Sequence, residues 1–365
     1  MSLKCGIVGL PNAGKSTIFN ALTNSSQAET GNYPFCTIET NKGQVFVPDD
    51  RLTKISQIMK SKKTIPTSFE FVDIAGLVKG ASQGEGLGNQ FLSHIRSVDS
   101  LIHLVRAFKD SQITHVYGEP EPLRDIEIIN TELLLSDLEI ADKRSQKIKK
   151  TAQSTGDKKL KKEMELLEKV VNLLSENKNL RDKEWSKEEL TFLKPYNFIS
   201  LKPALYICNF KEEDFTNQKI DLSSIRQSLG TNEDCIAISC ALEADMMGWN
   251  HSEKNEFLKP MGLKEPVLHR VIKKVYEQLN LISFFTAGEK ESRAWTVKKE
   301  SLAPTAGGVI HSDFEKGFIR AEVYSYEELL EHQSEKTLKN KGLVKVVGKD
   351  YIVQDGDIMH FLFNV

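Results

Sequence analysis

Gly9-Leu10-Pro11-Asn12-Ala13-Gly14-Lys15-Ser16 follows the β-rich run Lys4-Cys5-Gly6-Ile7-Val8 and precedes the helix-like Thr17-Ile18-Phe19-Asn20-Ala21-Leu22. This is G-x-x-x-x-G-K-S in a strand-to-helix setting, and it decides the fold. Its glycines let the loop turn backbone N–H groups onto phosphate oxygens, while the following helix adds its positive end. Lys15 then reaches the β- and γ-phosphates and the Ser16 hydroxyl ligates Mg²⁺, with Asn12, Ala13, Gly14 and Thr17 completing the cradle. A chance Gly-rich turn would lack that setting.

Outward from the loop, Phe69-Glu70-Phe71-Val72 and Leu101-Ile102-His103-Leu104-Val105 are further short apolar runs alternating with helical stretches up to about Asp110. The alternation predicts an α/β domain with a mostly parallel sheet and crossover helices. Asp73-Ile74-Ala75-Gly76 closes the first of these runs. Asp73 is thereby expected at a strand's C-terminal end, binding Mg²⁺ through water, with the Gly76 N–H on the γ-phosphate. Thr37, in the loop from Gly31 to Thr37, is the candidate switch threonine that closes on Mg²⁺. Where Ras-like enzymes place a water-orienting glutamine, this chain has Leu77, which can neither donate nor accept a hydrogen bond. Hydrolysis is therefore expected to be slow or catalysed from elsewhere, with Gln83 and Gln90 as plain alternatives for holding the water. Gly80, Gly84, Gly86 and Gly88 give the stretch Lys79 to Gln90 the composition of a switch segment.

Between Asp125 and about Leu180 the period changes. Leu134, Leu138, Ala141, Ser145 and Ile148 alternate spacings of four and three, and Leu160, Met164, Leu167, Val171 and Leu174 repeat them. Two helices broken at Thr151 to Asp157 would form an antiparallel coiled-coil hairpin. After Pro203 the runs Ala204 to Cys208 and Cys235 to Ser239 resume the α/β pattern, so the hairpin is an insertion. From about Leu281 the chain is strand-rich with one helical patch near Tyr326 to Gln333, a small α+β domain. The expected boundaries are 1–124 with 200–280 for nucleotide binding, 125–199 for the insertion and 281–365 for the C-terminal domain. At roughly 150 residues per domain, a chain of 365 residues predicts two or three domains.

GTP-binding relatives of such domains select guanine with N/T-K-x-D, and no such sequence occurs downstream of Asp73. In its place, after the run Ala204 to Cys208, stands Asn209-Phe210-Lys211-Glu212. Asn209 can serve purine N7 or a 6-amino group, and Phe210 can stack on the ring. Glu212 displaces the carboxylate by a methylene. Adenine offers an acceptor at N1 and no 2-amino group, so a carboxylate fixed for guanine would be repelled and a displaced one would not; ATP is favoured over GTP. The plainer alternative is that Asn209 and Glu212 cap the helix that follows. Ser239-Cys240-Ala241 would add backbone N–H groups at the base edge.

Charge and composition exclude much else. Lys plus Arg is 49 against 51 Asp plus Glu, a net charge of -2, with 39% hydrophobic and 27% charged residues, which excludes disordered, collagenous and fibrous classes. No apolar run approaches the roughly 18 residues of a membrane helix, and Met1 to Val8 lacks the regions of a signal peptide. A cytoplasmic protein without membrane contact is expected. The cysteines at 5, 36, 208, 235 and 240 are odd in number and never in C-x-x-C spacing, so they are expected as buried thiols rather than a disulfide framework or zinc site.

In combination, Gly9 to Thr17, Asn32-Tyr33-Pro34-Phe35-Cys36-Thr37-Ile38-Glu39, Asp73 to Ala81, Asn209-x-x-Glu212, Phe284 to Glu291 and Asp313 to Glu322 resemble the YchF or Obg-like ATPase family of P-loop translation-factor GTPases across essentially the whole chain. The resemblance implies the same three pieces, the last being a TGS domain of β-grasp type, together with ATP preference, Mg²⁺ dependence, a hydrophobic residue in place of glutamine and association with ribosomes. Asparagine at the place of Asn12 implies K⁺ near the phosphates, where a cation would neutralise transition-state charge. The family's candidate for water activation matches His115, whose plain alternative is a solvent-exposed loop histidine. The chain departs from the family at Thr40, where proline is common, and at Ser239-Cys240-Ala241, where Ser-Ala is usual. Neither change removes a needed polar group.

Nine basic residues lie between Lys143 and Lys162 against one acid, Asp157. The charge run reads either as a solvated helix surface or, with ribosome association implied, as contact with rRNA on the large subunit or whole ribosome. The C-terminal domain, with Trp295, Lys298, Lys299, His311, Phe314 and Lys316, is expected as a second docking module. A monomer is expected. The rival readings are a GTPase of the same fold, and a ribosome-binding module with incidental turnover.

Overall fold

The computed structural model describes residues 3–30, 42–74, 87–155, 157–217, 219–230 and 233–364. Its strands are β1 (Lys4–Val8), β2 (Lys42–Phe46), β3 (Thr64–Ile65), β4 (Ser68–Asp73), β5 (Ser100–Arg106), β6 (Ala204–Asn209), β7 (Asp234–Ile238), β8 (Leu281–Thr286), β9 (Ser292–Lys298), β10 (Phe318–Ser325), β11 (Lys345–Val347) and β12 (Asp357–Phe363). The first five helices are α1 (Lys15–Thr30), α2 (Asp50–Met59), α3 (Leu87–Arg96), α4 (Pro122–Thr155) and α5 (Lys158–Ser175). The chain divides into two compact units, Met1–Gln44 with Glu70–Leu268, and Val45–Phe69 with His269–Val365.

The first unit is built on a sheet of order β2-β4-β1-β5-β6-β7 in which β4, β1, β5, β6 and β7 are mutually parallel. Every residue of β5 and β6 is buried, the mark of strands covered on both faces and the reason their text reads as continuous apolar runs. The parallel α/β reading of the sequence agrees with this.

Pro122 opens α4, a position that costs a helix no hydrogen bond, and Asp157 caps α5 by accepting from the Lys159 N–H at 2.7 Å. The first helix runs on to Thr155, so the interruption is shorter than the Thr151 to Asp157 break expected from sequence. Leu134, Ala141 and Ile148 pack with Leu167 and Leu174 as the spacing predicts. Leu166 and Val170 are buried as well, because Leu180, Leu193 and Phe198 cover a second side. Arg144 Nη2 meets Glu163 Oε1 at 3.1 Å, which sets the two helices side by side as the chain doubles back.

The second unit carries a mixed sheet of order β11-β10-β12-β8-β9-β3. Here the structure departs from the expected continuous segment 1–124, for Val45–Phe69 belongs to this unit and not to the nucleotide-binding one. β3 pairs parallel with β9 (Thr64 with Ser292), and Leu52 and Ile55 of α2 join Phe285, Ala294, Tyr324 and Leu329 in one core. Such pairing is set by partners more than two hundred residues away, which local periodicity cannot report. The single helical patch expected in this region is also too few. Ala303–Ile310 and Ser312–Lys316 are helical, the first with Pro304 in its opening turn and despite two glycines. At Gly307 a Cβ would stand 3.3 Å from both Phe314 Cβ and Phe361 Cδ1, a tight fit that favours glycine where the second helix packs close.

Candidate functional site

Parallel strands deliver their C-terminal ends to one edge of the first sheet. The registers Ile7 with Asp73, Val8 with His103, Arg106 with Asn209, and Asn209 with Ile238 bring together the phosphate loop, Asp73, Arg106, Asn209 and the turn at Ser239. Open α/β sheets bind ligands at such an edge.

Gly14 of the loop adopts φ +104°, open to glycine and strained for other residues, and a Cβ there would lie 2.8 Å from Asn209 Nδ2. At Gly9 a Cβ would stand 2.4 Å from the Leu104 carbonyl oxygen. Lys15, first residue of α1, donates from Nζ to the Gly9 and Leu10 carbonyls at 3.0 and 2.9 Å. Burial pulls its pKa down, and the Asp73 charge opposes that. Burial also pushes the Asp73 carboxyl up, opposed by Lys15 and by a hydrogen bond from the Ser16 side chain. Asp73 Oδ1 is buried with no hydrogen-bond partner among the described residues. A bare carboxylate oxygen beside a hydroxyl is a donor pair of the kind that Mg²⁺ takes, so Ser16 and Asp73 fit that ion. Thr17 is exposed on the next helical position. Thr37, Gly76, Leu77 and Gln83 lie outside the described residues.

At the base end, Asn209 is 5% exposed. Its Nδ2 donates to the Ala13 carbonyl at 3.0 Å, and its Oδ1 accepts from the Cys240 N–H at 3.0 Å. Asn209 thus ties the phosphate loop to the turn after β7, and the Cys240 N–H expected on the base edge is spent on that tie. Ser239 caps the helix Cys240–Asp245, its Oγ accepting from the Leu242 N–H at 3.4 Å, while Ala241 is exposed. Phe210 is half-buried and its N–H donates to the Ile238 carbonyl at 2.7 Å. Glu212 is exposed as first residue of the short helix Glu212–Thr216, where Asp214 accepts from the Lys211 N–H at 3.1 Å. The capping alternative for Asn209 therefore fails. Cys5, Cys208, Cys235 and Cys240 are free and buried as expected, and Cys36 lies outside the described residues.

His115 is no exposed loop histidine: its side chain is 2% exposed. The loop bearing it is clamped from two sides. Arg106, buried at the end of β5, donates from Nε to the Phe108 carbonyl at 3.1 Å, from Nη2 to Asp110 at 3.3 Å and from Nη1 to Ile113 at 3.1 Å. Asn12 Nδ2 donates to the Thr114 carbonyl at 3.1 Å, so the phosphate loop itself holds the residue before His115. Asp125, in the first turn of α4, places Oδ2 3.0 Å from His115 Nε2. Arg106 and Asp125 escape a reading of sequence, since an arginine at a strand end and an aspartate after a helix-opening proline carry no distinctive local signal.

At the far end of the helical pair, three of the nine basic residues are neutralised by acids outside the counted stretch. Lys143 pairs with Glu139, Arg144 with Glu163 and Lys162 with Glu188. Lys147, Lys149, Lys158, Lys159 and Lys161 are exposed. Among the described residues, no helix is long and apolar enough to cross a membrane.

Comparison with known proteins gives matches over the whole chain. Residues 4–137 match the family model described as 50S ribosome-binding GTPase, and residues 281–364 match YchF-GTPase_C, a description that assigns no function. The chain is 50% identical over 366 residues to the ribosome-binding ATPase YchF of Haemophilus influenzae and 48% identical over 368 residues to that of Bacillus subtilis, with 100% of each chain covered. A solved structure, the Schizosaccharomyces pombe YchF GTPase, superposes with a TM-score of 0.90 at 38% identity, covering 99% of this chain and 98% of the other. A GTP binding protein from Pyrococcus horikoshii, at TM-score 0.61 and 19% identity, shares the fold.

Proposed function

This chain belongs to the YchF family, and on that premise we propose that it is a cytoplasmic, ribosome-associated ATPase that hydrolyses ATP to ADP and phosphate as a nucleotide-controlled switch in translation or stress regulation. The observation that carries the hydrolytic reading is the convergence of Lys15, Ser16 and the partnerless Asp73 Oδ1 at the end of a G-x-x-x-x-G-K-S loop. Ser16 and Asp73, with Thr37, would hold Mg²⁺, which when bound offsets charge on the β- and γ-phosphate oxygens. Lys15 and the backbone N–H groups of residues 12–17 hold the phosphates, and the Gly76 N–H meets the γ-phosphate. With Leu77 unable to orient water, His115 takes that role. A K⁺ ion beside Asn12 is part of the same proposal, for Nδ2 is used on Thr114 while Oδ1 can face a cation.

Water attacks the γ-phosphorus in line, and the bond to the β–γ bridging oxygen breaks with that oxygen leaving on ADP. Phe210, Glu212, Ser239 and Ala241 frame the base, with Cys240 acting through Asn209. The helical pair is read as a coiled-coil insertion contacting rRNA through its exposed lysines, and residues 281–365 as a TGS domain of β-grasp type docking on the ribosome, the protein acting as a monomer.

A GTPase reading is kept because the S. pombe relative is described as one. Calorimetry with non-hydrolysable ATP and GTP analogues, in Mg²⁺ with K⁺ or Na⁺, separates the two. Tighter ATP binding is expected, and tighter GTP binding would make the chain a GTPase whose pocket reads guanine through other groups.

A further inference from the structure

The geometry points to Asp125 as a latch that holds His115 withdrawn, so that opening of the His115–Asp125 pair sets the rate of hydrolysis; this rests on the water-orienting role proposed for His115. In the arrangement seen, neither ring nitrogen can take a proton from water. Nδ1 accepts the Tyr117 N–H at 3.2 Å, which places the proton of a neutral ring on Nε2, and Nε2 faces Asp125 Oδ2 at 3.0 Å. The ring is enclosed by Leu10, Pro11, Ala13 and His103, with no room there for a water molecule.

The latch is held from behind. Arg124 donates to Asp125 Oδ1 from Nε at 3.2 Å and from Nη2 at 3.0 Å, leaving Oδ2 for the histidine. The same Nη2 reaches the Glu119 carbonyl at 2.6 Å, and the guanidinium lies 5.7 Å from the Tyr117 ring centre. The closing contact is weak nonetheless. His115 Nε2 and Asp125 Oδ2 stand 3.0 Å apart without forming a hydrogen bond, and each is buried with no hydrogen-bond partner among the described residues. Partnerless buried polar atoms raise the energy of the closed arrangement, so a modest pull can open it. Such a pull is available from the nucleotide site. Asn12, at φ 63° in the phosphate loop, donates to both the carbonyl and the hydroxyl of Thr114, the residue next to His115.

The test compares steady-state ATP hydrolysis by wild type, Asp125→Asn, His115→Ala and the double variant of the full chain. Asp125→Asn keeps the shape and removes the charge; kcat is expected to rise about threefold or more with KM for ATP within about twofold, as a larger competent fraction requires. The gain is expected to vanish in the double variant, which a general loosening of the fold would not produce. An unchanged or lower kcat in Asp125→Asn overturns the latch, a fall meaning that Asp125 assists His115. An unchanged kcat in His115→Ala overturns the water-orienting role itself, and the latch with it. Carbethoxylation by diethyl pyrocarbonate, read by mass spectrometry, provides a measure independent of turnover and of any variant's folding. His115 of the wild type is expected to react about tenfold or more slowly than the exposed His311, as an enclosed group should. Equal rates overturn the latch.

Discussion

Asn209 fastens the end of β6 to the phosphate loop through its Nδ2, 3.0 Å from the Ala13 carbonyl. With Oδ1 on the Cys240 N–H, one buried amide uses its donor and its acceptor to hold three loops at fixed spacing. The residue expected to read the base is thus first a brace for the groups that hold the phosphates.

Asn209→Ala is expected to lower stability by about 2–3 kcal/mol, the cost of leaving two buried backbone groups without partners. Asn209→Asp should cost more, since either carboxylate oxygen would face the Ala13 carbonyl. Urea unfolding midpoints measure both, and a change near zero for alanine would show that the brace is energetically idle.

Glu212→Asp combined with Phe210→Lys restores the residue types that read guanine. The ratio of ATP to GTP dissociation constants is expected to move toward GTP by about tenfold or more, the scale of an edge-reading hydrogen-bond pair. A ratio that stays put would remove Phe210 and Glu212 from base selection.

Acid should weaken the first unit through His103. Burial chiefly, then the charges of Arg181 and Lys15, hold its pKa down at about 3 against an ordinary 6.5. Between those values the unfolded chain binds a proton that the folded chain refuses, so stability falls as pH drops below about 6.5, by about 2 kcal/mol from this group at pH 5. His103→Phe is expected to flatten the urea midpoint between pH 7 and pH 5, and an unaltered slope would assign the acid sensitivity elsewhere.

Charge reversal at Lys149 and Lys159 is expected to weaken co-sedimentation with ribosomes and to shallow its salt dependence, as the loss of phosphate contacts does. Lys143→Glu should do less, because Glu139 already neutralises Lys143. Binding indifferent to both salt and reversal would sink the rRNA reading.

The sequence by itself determined what consecutive or evenly spaced residues encode. The phosphate loop is eight adjacent residues whose chemistry is local, Asp73 is marked by the end of an apolar run, and the helical pair is marked by spacings of four and three that place Leu134, Ala141 and Ile148 on one stripe. Tertiary structure alone decided what depends on chance neighbours in space. It moved residues 45–69 into the C-terminal unit through Leu52 and Ile55, because an amphipathic helix announces an apolar face but not the partner that covers it. It gave Asn209, expected at the base, a bracing role as well, for the partners of its amide come from two loops far away in sequence. It also set Asp125 3.0 Å from His115 across ten positions of chain, because a loop residue and the first turn of a helix meet only where the folded chain brings them.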